Sequence, residues 1–216
     1  MDSQTDENGD EKRTGRYHHG DLKAALIAAT LELIKEKRVE DLSVADAARA
    51  ANVSSGAPYR HFKDRDELLA HVAAAGFREL NRREHIAFAQ HPPGSIEGLI
   101  EGGCSYMEFG ADNPELFHLM WGAARTLDQY DLARQSSEAS YFSFIDMLTE
   151  TMKSEGLGHL DPHVFGAPLW AMVHGFASLL IGKPKMFDSN RSAIRDNIAN
   201  ATRAYFSGYN DHFDKS

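Results

Sequence analysis

The stretch that decides the fold is Ser43-Val-Ala-Asp-Ala-Ala-Arg-Ala-Ala-Asn-Val-Ser-Ser-Gly-Ala-Pro-Tyr-Arg-His-Phe62. A helix-turn-helix needs two short helices crossing steeply, joined by about three or four residues. Ser43 with Asp46 three residues on is an N-cap signature that opens the first helix, which ends near Ala51. Ala47, Ala48 and Ala51 permit a close crossing. Asn52 falls where the turn needs a left-handed residue, a conformation asparagine tolerates better than most. Val53 plugs the angle. A second short helix is expected from Ser55 to Phe62, with Pro58 at its third position, where a missing N–H costs nothing.

That second helix carries the chemistry of a reading head. Small residues at Gly56 and Ala57 allow close approach to base edges. Tyr59, Arg60, His61, Lys63 and Arg65 follow as donors for phosphate oxygens. The charge distribution agrees. The net charge is −9, yet residues 12–65 hold 11 Lys and Arg against seven acids. Residues 1–11 hold five acids and no base, and residues 66–216 hold 20 acids against 12 bases. A positive segment within an acidic chain is the footprint of nucleic-acid binding.

Outward from this stretch the apolar spacing is helical almost everywhere, and no sustained strand alternation is found. The first helix is expected from Asp21 to Lys37. A fourth, capped at Asp64 with Glu67, runs to Gln90 before His-Pro-Pro-Gly. Ser95 caps a helix through Phe109, and Asn113-Pro114 one through Trp121. Residues 128–154 form a long amphipathic helix ending at Gly156. Asp161-Pro162 opens another to Gly182, with a kink expected at Pro168. Ser189 or Asn190 caps a last helix through Ser207. The fold class is therefore all-α, with about nine helices. The expected organisation is a disordered tail over 1–15, a head over 16–65 and a helical body over 66–216.

Several function classes find no support. The single Cys104 excludes an intramolecular disulfide framework and suits a reducing cytoplasm. The first residues are acidic and polar, unlike a signal peptide. The longest apolar run, Ala167–Gly182, has 16 residues, shorter than the about 20 of a spanning helix. It reads as a buried helix, and no membrane association is expected. No nucleophile triad, phosphate loop or metal motif is evident, so no enzyme activity, cofactor or metal is expected. Cys104 lies in an apolar stretch, and no nearby basic residue is expected to activate it.

The block SVADAARAANVSSGAPYRHFKDRDELL resembles the DNA-binding signature of the TetR (tetracycline-repressor-like) family over about residues 20–70. The resemblance implies a three-helix head and an all-helical body that binds a ligand and dimerises. It places Ser43, Tyr59, His61 and Lys63 at phosphate-contacting positions and Ser54, Ser55, Gly56, Ala57, Pro58, Tyr59 and Arg60 on the base-reading surface. Arg65 stands where many members have lysine. Arg16 and Tyr17, in a lead-in similar to one subset of the family, are candidates for an arm on the DNA, the alternative being a floppy tail. His18 and His19 lack the partners of a metal site.

In the body, YMEFGADNPELFHLMW and LWAMVHGFASLLIG resemble a C-terminal domain marked by Trp-x-x-x-His-Gly, here Trp170, His174 and Gly175. Candidate ligand-binding residues are Tyr106, Phe109, Phe117, Met120, Trp121, Tyr141, Phe144, Trp170 and His174. Most body aromatics must be core. Glycines at 102, 103, 110, 122, 166 and 175 interrupt helices that would otherwise close up, which suggests a cavity. His174 reads either as a satisfied core histidine or as a polar anchor in a pocket. The expected partners are a palindromic double-stranded operator, a small apolar or amphipathic effector and a second copy of the chain, paired through the last two helices. A DNA-binding regulator without an inducer is the alternative.

Overall fold

The computed structural model describes residues 22–122, 129–183, 185 and 190–213. The tail and the lead-in with Arg16, Tyr17, His18 and His19 lie outside these residues. Eight α-helices are found among the described residues: α1 (Leu22–Leu33), α2 (Val44–Ala50), α3 (Arg65–Phe88), α4 (Ile96–Asp112), α5 (Pro114–Trp121), α6 (Asp131–Ser154), α7 (Pro162–Gly182) and α8 (Arg191–Phe213). Two short 3-10 helices, Val39–Asp41 and Pro58–Arg60, complete the described elements. The fold is all-α, and no strand occurs among the described residues.

Local chemistry explains most boundaries. Ser43 and Asp46 form a full capping box at α2: Asp46 N–H donates to Ser43 Oγ at 3.1 Å, and Ser43 N–H donates back to the Asp46 carboxylate at 3.1 Å. Asp46 is held at about 2 by these bonds from Ser43 and by Lys37. The α2 C-terminus closes in a Schellman arrangement, with Asn52 N–H donating to Arg49 O and Val53 N–H to Ala48 O. Asn52 carries φ +55° there, the left-handed conformation its position demands. Asp64 caps α3 by accepting from Glu67 N–H at 2.8 Å, and Asp161 caps α7 by accepting from His163 N–H at 2.8 Å.

Four expectations need correction. The helix expected over Ser55–Phe62 is a run of tight turns with a 3-10 helix only at Pro58–Arg60. Ala57, Arg60 and His61 each bond three residues back. Gly56 is a poor helix former and Pro58 lacks the N–H that an α-turn would use, so the segment does not propagate. The α1 helix ends at Leu33 and loosens through turns to Lys37. Asn113 stands at the N-cap of α5 with Pro114 following, but its side chain does not cap the helix; the amide donates back to Phe109 O at 2.9 Å. The last helix runs past Gly208 to Phe213, because a lone glycine with open space around it weakens a helix without ending it.

Helix α3 joins the two ends of the molecule. It packs on α1 and on α4, α5 and α6. Helix α4 is the hub of the body, touching α3, α5, α6, α7 and α8. One core cluster runs from Leu26 and Phe62 through Leu69, Phe77, Met107 and Leu119 to Ile198. A second gathers Phe88, Leu99, Met147, Leu148, Phe165, Leu169 and Phe206 at the far end. Helix α7 runs unbroken through Pro168. Its 21 residues are long and apolar enough to cross a membrane by length and composition, but Phe165, Leu169, Val173, Ala177 and Leu180 are buried in the protein.

Candidate DNA-reading surface and effector cavity

At the head, the turn after α2 is pinned from beneath and open above. Phe62 is 2% exposed, meets His71 edge-on at 5.4 Å and lies 5.5 Å beneath the Lys23 ammonium. Pro58 is buried beside it. With these two anchored, Ser54, Ser55, Gly56, Tyr59, Arg60, His61 and Lys63 all face solvent, and Ala57 is half-buried. Tyr59 is 61% exposed, a large aromatic left outside the core. Solvent-facing donors on a rigid base are what phosphate contact requires.

Two other head candidates are already engaged. Ser43 Oγ donates to the Asp46 carboxylate at 2.6 Å, so its hydroxyl belongs to the capping box. Arg65 donates to Leu42 O at 2.6 Å and to Val39 O. The Arg65 guanidinium therefore ties the start of α3 to the loop between α1 and α2.

In the body, a cavity of about 270 Å³ opens on the seam between the two core clusters. Of the nine ligand-binding candidates, Tyr106, Trp121, Tyr141, Phe144 and Trp170 line it. Phe109, Phe117, Met120 and His174 do not. Met120 fills the space over Gly76, where an added Cβ would fall 2.6 Å from its sulfur. Phe117 packs against Gly110, and Phe109 is 1% exposed beneath the Arg83 guanidinium. His174 stands behind the wall, its Nδ1 2.8 Å from the Tyr106 hydroxyl. Burial lowers the His174 pKa and raises that of Tyr106, so the pair holds a neutral imidazole against a neutral phenol.

The glycines divide in the same way. Gly102 and Gly103 line the cavity, and a Cβ at Gly102 would meet only Glu84 O at 3.8 Å. Gly110 and Gly166 instead let helices touch: Cβ atoms there would fall 3.0 Å from Ala177 and 2.6 Å from Leu148. Gly175 of the Trp-x-x-x-His-Gly pattern faces open space on the outer side of α7.

Sequence reasoning missed the polar members of the lining. Glu84, Ser140 and Thr202 come from α3, α6 and α8, and all three are buried. None makes a side-chain hydrogen bond among the described residues. Trp121 Nε1, also buried, has no acceptor among them. Burial pushes the Glu84 carboxyl up to about 8. A signal was present: on α3 the apolar stripe Phe77, Leu80, Phe88 has Glu84 at the position between, four residues from Leu80 and from Phe88. On α8, Thr202 interrupts Ile194, Ile198 and Phe206 in the same register.

Cys104 is buried, and burial pushes its thiol up to about 11. Arg195 does lie near it, contrary to the sequence expectation, but that guanidinium is held by Glu101 and Glu108 at 2.7 and 2.6 Å. No cluster of three metal-ligating side chains occurs among the described residues.

Head and body are joined by polar contacts. Tyr130, at the start of α6, donates to the Asp64 carboxylate at 2.9 Å. Glu115 on α5 accepts from Val39 N–H at 3.0 Å, and His118 lies 3.7 Å from Glu40. Both α5 and α6 supply cavity wall.

Comparison with solved structures places this architecture. A protein of unknown function from Rhodococcus sp. RHA1 superposes with a TM-score of 0.76 at 26% identity, covering 90% of this chain and 98% of its own. A TetR family transcription regulator from Marinobacter aquaeolei VT8 gives 0.61 at 15%, over 83% and 94%. The fatty acid degradation regulator FadR from Bacillus halodurans gives 0.64 at 14%, over 88% and 96%. Residues 26–72 match the model of bacterial regulatory proteins of the tetR family, and residues 99–202 match the tetracyclin repressor-like C-terminal domain. With both the head and the body matched in order along one chain, the protein belongs to the TetR family of transcriptional regulators.

Proposed function

We propose that this regulator is a ligand-responsive repressor, acting in the cytoplasm by binding rather than catalysis, and that it holds a palindromic operator as a homodimer. Each head occupies one half-site. Ser54 to Arg60 form the base-reading surface, and Tyr59, His61 and Lys63 take phosphates, with Ser43 and Arg65 at its edge. Arg16 and Tyr17 reach along the DNA as an arm. The body cavity takes the effector against Tyr106, Trp121, Tyr141, Phe144 and Trp170. Phe109, Phe117, Met120 and His174 support that wall from behind.

The observation that carries this reading is the joining of cavity to head. Helices α5 and α6 wall the cavity and also hold the head, through Glu115 to Val39 and Tyr130 to Asp64. A ligand that moves either helix shifts the head relative to its dimer mate. A coupling of about 1–3 kcal/mol changes operator affinity roughly 5–150-fold. The dimer forms through the outer faces of α7 and α8. On α7 that face is apolar and close-packing: Val164, Ala167, Pro168, Ala171 and Leu179 are exposed, with Gly175 unobstructed among them. An obligate interface of this kind buries about 2,000 Å² or more.

Selection of genomic DNA by the full chain tests the head. A short enriched palindrome that Tyr59→Ala and Lys63→Ala both lose is the expected result. Enrichment surviving both substitutions sinks the assignment.

A further inference from the structure

The lining of the cavity is unbalanced in charge. It contains two carboxyl groups, Glu84 and Glu138, and no lysine or arginine. Glu138 is exposed and already ion-paired with Arg134 at 3.0 Å, which marks the solvent side of the cavity. Glu84 lies inside, 6% exposed, with no hydrogen bond or ion pair to its carboxyl among the described residues. An unpaired acid in such a place stays protonated unless a partner from outside the chain supplies the counter-charge.

The groups around Glu84 narrow the kind of partner. From α4 comes Tyr106, neutral and bonded to the neutral His174 of α7. From α6 come Ser140 and the paired Glu138, from α5 Trp121, and from α8 Thr202. None of these carries positive charge. An anionic ligand would meet an acid with no counter-charge. A cation would meet a carboxylate and the rings of Tyr106, Trp121, Tyr141, Phe144 and Trp170, whose π faces attract positive charge.

We propose that the cavity takes a lipophilic organic cation, with its charged nitrogen against the Glu84 carboxylate and its apolar body between the aromatic walls. This rests on the effector-pocket reading above and deepens it. A cavity of about 270 Å³ is close to the lower end of the roughly 300–1,000 Å³ of drug-sized sites, so the cation is compact. Burial keeps Glu84 protonated in the free protein at neutral pH, so binding a permanent cation releases one proton. Affinity therefore rises about tenfold per pH unit up to about 8 and then levels.

The test is calorimetric titration of the full chain at pH 6, 7, 8 and 9 with three probes of similar size: phenethyltrimethylammonium, 4-phenylbutanamide and 4-phenylbutanoate. The cation is expected to bind with that pH profile. Glu84→Gln, which keeps shape and matches the neutral acid, should weaken the cation at pH 8 about 30-fold or more and flatten the profile. The amide should lose far less affinity than the cation. A thermal melt of Glu84→Gln establishes that it is folded. The proposal is overturned by an anion or amide that binds more tightly than the cation, by cation binding indifferent to Glu84→Gln, or by no cation binding at pH 8. Operator affinity measured with each probe separates this inference from the one it rests on. A cation bound through Glu84 that leaves operator affinity unchanged supports the site and sinks the inducer reading. Operator release by the amide or the butanoate alone does the reverse.

Discussion

The head and the body solve opposite problems with the same helices. The head buries two residues, Pro58 and Phe62, so that seven others between Ser54 and Lys63 can face outward. The body buries polar groups from three helices, Glu84, Ser140 and Thr202, so that they face inward on a shared space. A surface site is built by one contiguous segment, and its rigidity comes from below. An internal site is built by convergence, and its cost appears as unsatisfied polar atoms. The first can be lost through a single core contact, while the second carries its own destabilisation as a signature.

The largest expected effect tests that signature. The Glu84 carboxyl stands at about 8 in the folded protein against an ordinary 4.5, so folding favours its protonated form. Stability is therefore highest below about 4.5 as far as this group is concerned, and falls as pH rises to about 8. The full loss is on the order of 5 kcal/mol, an upper figure because a cavity-facing acid keeps some access to water. Urea unfolding of the wild type and Glu84→Gln between pH 5 and 8 should show the two stabilities diverging as pH rises. Parallel curves would break the contrast between head and body.

Next in size is the anchor beneath the reading surface. Phe62→Ala should cost about 3–5 kcal/mol and abolish operator binding, although Phe62 touches no DNA in the proposed arrangement. Retention of both stability and binding would mean the surface is not held from below. Ser43→Ala removes the α2 cap and should lower stability by about 1 kcal/mol in chemical denaturation. The smallest effect separates neighbouring cations. Lys63→Ala should reduce the slope of log affinity against log salt by about 0.9, the release of one counterion. Arg65→Ala should leave that slope nearly unchanged and lower stability instead, because its guanidinium serves the Val39 and Leu42 carbonyls.

The contrast also explains how much of the molecule is legible in its sequence. The head is legible because its determinants are local: a cap at Ser43, a left-handed turn at Asn52 and donors spaced over ten residues. Residues 55–62 and the end of α1 beyond Leu33 depart from their expected conformation, the former because the small cost of Gly56 and the missing N–H of Pro58 outweigh the tendency to form a helix. The body helices are legible from periodicity and punctuation, with Asp161 and Gly182 falling at the α7 boundaries. The cavity is only half legible. Composition favours aromatics, which divide between wall and core according to which helix face each occupies. Met120 and Trp121 are adjacent on α5, yet one fills the gap over Gly76 and the other lines the space. Glu84 is hidden within Arg82-Arg83-Glu84-His85, a charged run that reads as solvent-facing until it is set in the register of Leu80 and Phe88.

The core that runs from Leu26 to Ile198 has a consequence for how such regulators can be recombined. Phe62 and Leu26 belong to the same buried cluster as Leu69, Phe77 and Leu119, so the boundary a sequence would draw near residue 65 passes through apolar contacts. A fragment cut there leaves apolar partners of Leu26 and Phe62 behind. Grafting this head onto another body would therefore need to carry the opening turns of α3 with it, and the exchangeable unit is larger than the part that reads the DNA.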